Sequence, residues 1–314
     1  MNLQRRSLHG QWSNRLVFIG AVTAASVGLG NVWKFPQLLA EHGGGAFLLL
    51  YFSCVLLVTL PLMAAEMLLG RRGRANPLAS YRKAANEAGR SSLWAGGGLL
   101  AMVAGVLFLV GYTVIGGWSL AYVFRAGSGA LRGLDRLGAQ EIFRDLTADP
   151  ERLLAWQTLF VVMAAMVVGR GVRHGLEEAV RWLWPALLLV LGVLLVAAFS
   201  TGHLAEGAAW LLTMRPEQIE LPALYAALGH AFYSFGIGLG VVLVFSAYLD
   251  DRVPMLTTCG WIVSADTLFG LAAGLVVLTL LSSGGLPLQG GMTMVFEGLP
   301  QVFGALPQGA WVGT

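Results

Sequence analysis

Apolar residues fall into seven long runs, near residues 16–40, 46–69, 93–124, 154–169, 179–200, 222–248 and 255–281, and polar residues collect in the segments between them. A helix needs about 20 apolar residues to cross the hydrocarbon layer of a bilayer, so each run is read as a membrane-spanning helix. Two of the runs are interrupted. Ala24 to Pro36 reads AASVGLGNVWKFP, in which Gly28 and Gly30 bracket Leu29 and Asn31 follows; Ser234 to Gly240 reads SFGIGLG, with Gly236, Gly238 and Gly240 alternating. A single glycine pair in a membrane helix is ordinarily a kink or a close packing point. Two breaks in separate spans say more, because irregular backbone inside lipid is tolerated only where protein, an ion or a ligand satisfies its amides and carbonyls. Interrupted helices in corresponding places of two halves point to a transporter binding site. The predicted fold is therefore an all-α integral membrane protein of about seven transmembrane helices, with helices one and six broken near residues 26–31 and 234–240.

The charged residues set the orientation. Arg5, Arg6 and Arg15 precede the first span, Arg71, Arg72, Arg74, Arg82, Lys83 and Arg90 lie between the second and third, Arg170, Arg173 and Arg181 surround the next loop on that side, and Arg252 follows the sixth. In the alternate loops, arginines such as Arg132 and Arg215 are diluted by acidic neighbours such as Asp135 and Glu217. The positive-inside rule then puts the N-terminus in the cytoplasm, in a multi-pass protein of the plasma (inner) membrane. Residues 1–15 read as a retained cytoplasmic tail, 16–200 as spans one to five, and 201–281 as an outside loop followed by spans six and seven. Residues 282–314, rich in Gly and Pro, read as an outside loop of an incomplete chain. The segment 201–221, with Trp210 and Pro216, is expected to rest on the membrane surface.

Composition agrees with this reading. Hydrophobic residues make up 56% and charged residues 12%, about half the charged share of an ordinary soluble domain. The net charge of +3 comes from residues that set topology, so it carries no nucleic-acid signal. Cys54 and Cys259 sit in apolar runs without metal-ligand spacing and read as inert buried thiols.

A charge inside a span costs about 2.5–3.5 kcal/mol at its centre, so each one needs a reason. Asp266, in WIVSADTLFG, is the carboxylate set deepest in a span. Alone it could be hydrogen-bonded to a neighbouring Ser or Thr, or protonated. Beside two broken helices it is a candidate cation ligand, and Ser26, Asn31 and Ser234 add hard oxygen donors that suit sodium better than a soft transition metal. His230 precedes the second break by one turn, with Ser234 at i+4 on the same face; a neutral core histidine and a proton or anion site are both open. Lys34 and Glu66 lie near span ends, where long charged side chains snorkel towards water. Tyr112, in FLVGYTVIGGW, places a hydroxyl on an apolar helix, where a carbonyl or a ligand carboxylate could meet it. Two membrane carboxylates for an aspartyl protease are lacking, as are HExxH and GxSxG, so the chain does not read as an enzyme.

The stretches SVGLGNVWKFP, GGGAFLLLY, PLMAAEMLLGRRG, GYTVIGGW and FYSFGIGLG occur in an order that closely resembles the neurotransmitter:sodium symporter family, in its bacterial amino-acid members with the leucine-transporter fold. That resemblance implies inverted repeats, of which this chain holds the first and the start of the second; the family has about twelve spans. It implies a first sodium site from the Ser26 carbonyl and the side chains of Asn31, Ser234 and Asp266, and half of a second from the carbonyls of Ala24 and Val27. The substrate carboxylate would meet the amides of Leu29 and Gly30 and the Tyr112 hydroxyl. The amino group would meet carbonyls near Ser26, Tyr233 and Ser234. Ala25 and Gly28 complete the backbone side of the implied pocket, and Phe108, Phe235, Gly236 and Leu239 shape its side-chain end.

Tyr112 and Tyr233 would close an outer lid, with Lys34 where an outer-gate Arg is usual. Trp12 and Tyr248 would belong to an inner gate whose usual Arg falls at His9, with Arg6 further off. Tyr51, His230 and Asp266 form the implied anion or proton-coupling set; His230 and Gly270 replace residues of the family's chloride site, so chloride is not expected to be required. Monoamine carriers of this kind have Asp where Gly28 stands, so the substrate should bring its own carboxylate. The implied function is sodium-coupled import of a neutral, apolar amino acid by alternating access, with two Na+ sites in the full-length protein. The implied partners are the amino acid, sodium, the lipid bilayer and, as an option, a homo-oligomeric copy. The alternative is a non-transporting amino-acid sensor or a channel-like truncated homologue.

Overall fold

Asn14 starts the first helix: its backbone is extended and its side chain accepts from the Val17 N–H at 3.0 Å, capping α1 (Arg15–Ser26) and satisfying one of the amides that a helix start leaves free. The computed structural model describes residues 11–286 and 291–305. The tail residues 1–10, with Arg5, Arg6 and His9, therefore lie outside the described part, as do 287–290 and 306–314 of the last loop.

After α1 the chain turns through Val27 and Gly28 and re-enters a π-helical turn, Gly30–Lys34, that runs into α2 (Phe35–Glu41), with a bend of 59° between the two segments. The break is narrower than the expected 26–31, because the Asn31 N–H bonds back to the Gly28 carbonyl at 3.1 Å and starts the next turn at once. Helices α3 (Gly45–Cys54) and α4 (Leu60–Gly73) join through a π turn into one 29-residue span. α5 (Pro77–Glu87) is a short connecting helix capped by Asn76, and α6 (Ala95–Gly127) returns across the layer. α7 (Arg136–Thr147) folds within the 125–153 loop, then α8 (Pro150–Gly169) and α9 (Glu177–Ser200) follow. The last part holds α10 (Leu204–Leu212), α11 (Leu221–Phe235), α12 (Val241–Ser246), α13 (Met255–Ser283) and α14 (Leu299–Ala305).

Among the described residues five helices are long and apolar enough to cross a bilayer, six if the bent pair α1 and α2 counts as one span. The expected span at 222–248 is split into α11, of 15 residues, and α12, of 6, neither long enough alone. No strand occurs among the described residues; Gly44 and Met214 make an isolated antiparallel bridge. That bridge ties the 201–221 segment to the protein, and α10 packs on α13 with Gly207 so close to Thr279 that a Cβ could not fit. The segment is thus docked on the bundle, beyond the surface position that its sequence suggested.

α13 is the axis of the bundle: 67% of its apolar window is buried, against 17% for α6 and none for α8. α1, α4, α9 and α10 all pack on it. Lipid tails give helices no hydrophobic reason to associate, so close small-residue contacts carry the packing. Gly70 of α4 is among the tightest examples, pressed on the Leu243 carbonyl of α12 with no room for a methyl group. Both cysteines are free and buried in this interior.

Candidate functional site

The second break explains its own glycines. Gly236, Gly238 and Gly240 have φ of 61°, 85° and 73°, the left-handed region that costs a side-chain-bearing residue about 1–2 kcal/mol each. α11 closes there with the Gly236 N–H on the Tyr233 carbonyl and the Ile237 N–H on the Phe232 carbonyl, at 3.2 and 3.0 Å. Unwinding is confined to 236–240, so Ser234 and Phe235 are still helical and hold fixed rotamers at the mouth of the break. Both α1 and α11 thus end inside the bundle, and helix C-terminal ends carry partial negative charge that favours a cation.

Asp266 of α13 stands between these ends. Its Oδ2 accepts from the Ser234 hydroxyl at 2.9 Å and its Oδ1 from the Asn31 side-chain amide at 3.1 Å. Ser234 Oγ also reaches Asn31 Oδ1 at 3.5 Å. Asp266, Asn31 and Ser234 are 1%, 3% and 4% exposed, so a carboxylate and its partners are held away from water at the meeting of three helices. This is an all-oxygen donor set with a formal negative charge, the chemistry of a hard monovalent or divalent cation. Ser26 is also buried, but its hydroxyl donates to the Val22 carbonyl at 3.0 Å, which leaves the main chain as its contribution to any ligand.

A cavity of about 240 Å³ opens beside this cluster, smaller than the ~300–1,000 Å³ of drug-sized pockets and suited to a single small molecule. One wall is the end of α1 and its break, from Ala24 to Gly28 with Gly30; the other is Tyr233 to Gly236 with Leu239. Phe108 and Tyr112 of α6 close the side. Eleven of the twelve expected substrate residues are among its lining; Leu29 is not, and its amide meets the Tyr112 hydroxyl instead. Val22, Val241 and Val242 also line the cavity, and nothing in an apolar run distinguishes a valine that faces a void from one that faces a helix.

Aromatic rings cover one end. Phe108 stacks on Tyr112 at 5.5 Å and meets Tyr233 edge-on at 5.7 Å, while Lys34 Nζ lies 5.0 Å above the Tyr233 ring. Gly30 is required here, because the Tyr233 ring occupies the space of any Cβ. At the opposite end Trp12, 7% exposed, donates from Nε1 to the Phe245 carbonyl at 2.8 Å and from its backbone to the Tyr248 carbonyl at 3.3 Å. Tyr248 therefore takes part through its main chain. Ser13, next to Trp12, donates through both its amide and its hydroxyl to Glu177, a carboxylate 3% exposed that the sequence did not single out.

His230 is 2% exposed, stacked on Phe35 at 5.2 Å and tilted against Tyr51 at 5.5 Å, and its Nδ1 has no hydrogen-bond partner among the described residues. Glu66 corrects the snorkelling expectation. Its Oε1 accepts from the Gly238 N–H at 2.7 Å, reaching sideways to the second break, because an amide freed inside the bundle is a better partner than distant water.

Comparison with known proteins places these features in context. The model of the sodium:neurotransmitter symporter family matches residues 9–132 and 147–285. The chain is 33% identical over 299 residues to an uncharacterized sodium-dependent transporter, YhdH, of Bacillus subtilis, covering 95% of this chain and 65% of that protein. An uncharacterized sodium-dependent transporter of Haemophilus influenzae is 28% identical over 319 residues, covering 99% and 68%. Among solved structures, that of MhsT in complex with L-phenylalanine is similar with a TM-score of 0.87 and 32% identity, over 96% of this chain and 68% of that one. The chain thus spans about two thirds of the length of these relatives.

Proposed function

The chain belongs to the sodium:neurotransmitter symporter family, a family of transporters and not of enzymes, and on that premise we propose that it carries out sodium-coupled import of a neutral, apolar amino acid by alternating access. The observation that carries this reading is the buried Asp266, Asn31 and Ser234 cluster, opening through Ser234 onto a cavity bounded by two helix breaks. Sodium would take the oxygen cluster together with the Ser26 carbonyl and the substrate carboxylate. Ala24 and Val27 would give half of a second sodium site. The zwitterion would lie between the two breaks, its carboxylate towards Gly30 and Tyr112 and its side chain towards Phe108, Phe235 and Leu239. The related MhsT structure is a complex with L-phenylalanine, which supports an apolar substrate.

Tyr233 with Lys34 would form the lid on one side and Trp12 with the Tyr248 carbonyl the plug on the other; with an N-terminus in the cytoplasm of the plasma (inner) membrane, the Trp12 end would face inward. Asp266 supplies fixed negative charge next to the cation, so chloride would not be required. The organisation that supports this is a first repeat over residues 16–200 and the start of a second from 201. The same cavity would also serve a second reading, an amino-acid sensor that binds and does not transport.

The test is uptake of radiolabelled L-phenylalanine into proteoliposomes under sodium or potassium gradients, for the 314-residue chain and for a version extended to its relatives' length. Sodium-driven uptake in the longer protein supports the symporter. Sodium-dependent binding without uptake in both supports the sensor, and no sodium dependence at all overturns both.

A further inference from the structure

α5 folds back along the first turns of α6. Pro77 and Tyr81 press on Gly98 and Gly97, where an added Cβ would lie 2.5 Å from the Pro77 carbonyl and 3.0 Å from the Tyr81 ring. The chain around this hairpin is basic: residues 71–94 contain six basic side chains and one acidic one. Four of the six are engaged. Arg71 donates to the Val253 carbonyl at 2.8 Å, Arg74 pairs with Asp251 at 2.7 Å, and Arg72 and Lys83 share Glu87 at 2.8 and 4.0 Å. Arg82 and Arg90 are exposed and, among the described residues, their guanidinium groups bond to no protein group.

Just beyond Arg90, Leu93 and Trp94 are 85% and 63% exposed, at the start of the membrane helix Ser92–Gly127. Trp is favoured at the headgroup level of a bilayer, and Lys or Arg at that level attracts anionic lipid over a Debye length. Two cations without a protein partner, directly beside an exposed Leu and Trp at a span boundary, match a lipid with an anionic headgroup and apolar tails. Soluble phosphate would leave Leu93 and Trp94 uncovered.

We propose that Arg82 and Arg90 form a docking surface for the headgroups of anionic phospholipid, with Leu93 and Trp94 setting its depth in the bilayer. This rests on the chain crossing a membrane and is independent of what the central cavity binds. It is tested with the 314-residue chain in phosphatidylcholine nanodiscs doped with phosphatidylglycerol, counting retained lipid by native mass spectrometry. The expected result is preferential retention of phosphatidylglycerol, about fivefold weaker for each of Arg82→Gln and Arg90→Gln and about 25-fold weaker for both. Arg132→Gln, at the other end of the bundle, leaves it unchanged, and added salt weakens it. Because neither arginine has a protein partner, helix content and melting should be unaltered. Equal retention of phosphatidylcholine and phosphatidylglycerol by the wild type overturns the proposal, as does undiminished retention in the double variant or an equal loss in Arg132→Gln.

Discussion

Glu66 and Gly238 are bonded across the bundle: a carboxylate of α4 accepts at 2.7 Å from an amide that the second break frees. Gly238 has φ of 85°, and the bond holds this residue in a conformation it would otherwise share with many. Hydrogen bonds to a charged group contribute about 1.5–3 kcal/mol. Glu66→Ala is therefore expected to lower substrate affinity about 10- to 100-fold, with Glu66→Gln intermediate, as read by equilibrium binding of labelled L-phenylalanine. Wild-type affinity in Glu66→Ala would show that the break holds its shape alone.

Asp266 carries the charge of the proposed sodium site. Asp266→Asn should weaken sodium activation at least tenfold, since the amide keeps one oxygen to accept from Asn31 and turns a donor towards the Ser234 hydroxyl, while the charge is lost. Replacing chloride with gluconate should leave wild-type uptake intact, and the Asn variant should either fail or need chloride. A wild type that stops transporting in gluconate would refute the charge argument.

At the proposed sodium site protons and sodium would compete for the same carboxylate, because a protonated Asp266 cannot offer two anionic oxygens. Apparent sodium affinity should therefore weaken as pH falls, and this dependence should disappear in Asp266→Asn. Retention of the same pH slope in that variant would move the effect to another group, with His230 the first to replace.

Gly30 and Tyr233 make a second coupled pair. Gly30→Ala drives a methyl group into the Tyr233 ring, so it should abolish substrate binding while leaving helix content unchanged. Adding Tyr233→Ala, which removes the ring, should restore measurable binding at reduced affinity. If Tyr233→Ala alone and the double variant bind equally poorly, the ring itself is needed and the clash is secondary.

Gly28 faces Tyr112, whose hydroxyl would lie 3.0 Å from an added Cβ. With no carboxylate there to meet a lone ammonium group, L-phenylalanine should compete for binding far better than phenethylamine. The reverse preference would exclude an amino-acid substrate.

The glycines made both breaks legible only as a pair, since GLG alone reads as a kink and its counterpart GIGLG in a second span is what marks interrupted helices. Asp266 was legible because a carboxylate in an apolar run is costly. The width of the first break was not, because Asn31 looks like part of an irregular stretch until its amide is seen closing a turn on Gly28. Glu66 was misread for a related reason: near a span end, water and a neighbouring backbone compete for the carboxylate, and only tertiary placement decides. Val22, Val241 and Val242 had no signal at all, as helix packing and cavity lining ask for the same side chain. The 201–221 segment was half legible; Trp210 and Pro216 marked it as a surface loop, but the fit of Gly207 on Thr279 depends on two residues distant in the chain.

Gly70 lies one helical turn beyond Glu66, so α4 grips the second break twice, by a hydrogen bond within it at Gly238 and by backbone contact after it at Leu243. Two fixed points remove a rotational degree of freedom. α12 cannot swivel on Gly240 unless α4 swings with it, whereas α8, which leaves its apolar window unburied, meets α6 instead, where Gly116 and Gly117 press on Phe160 and Gln157. Such gearing would turn α4, α11 and α12 as one block, and spin labels on the exposed Leu68 and Val244 should keep a constant separation through the full cycle of sodium and substrate binding.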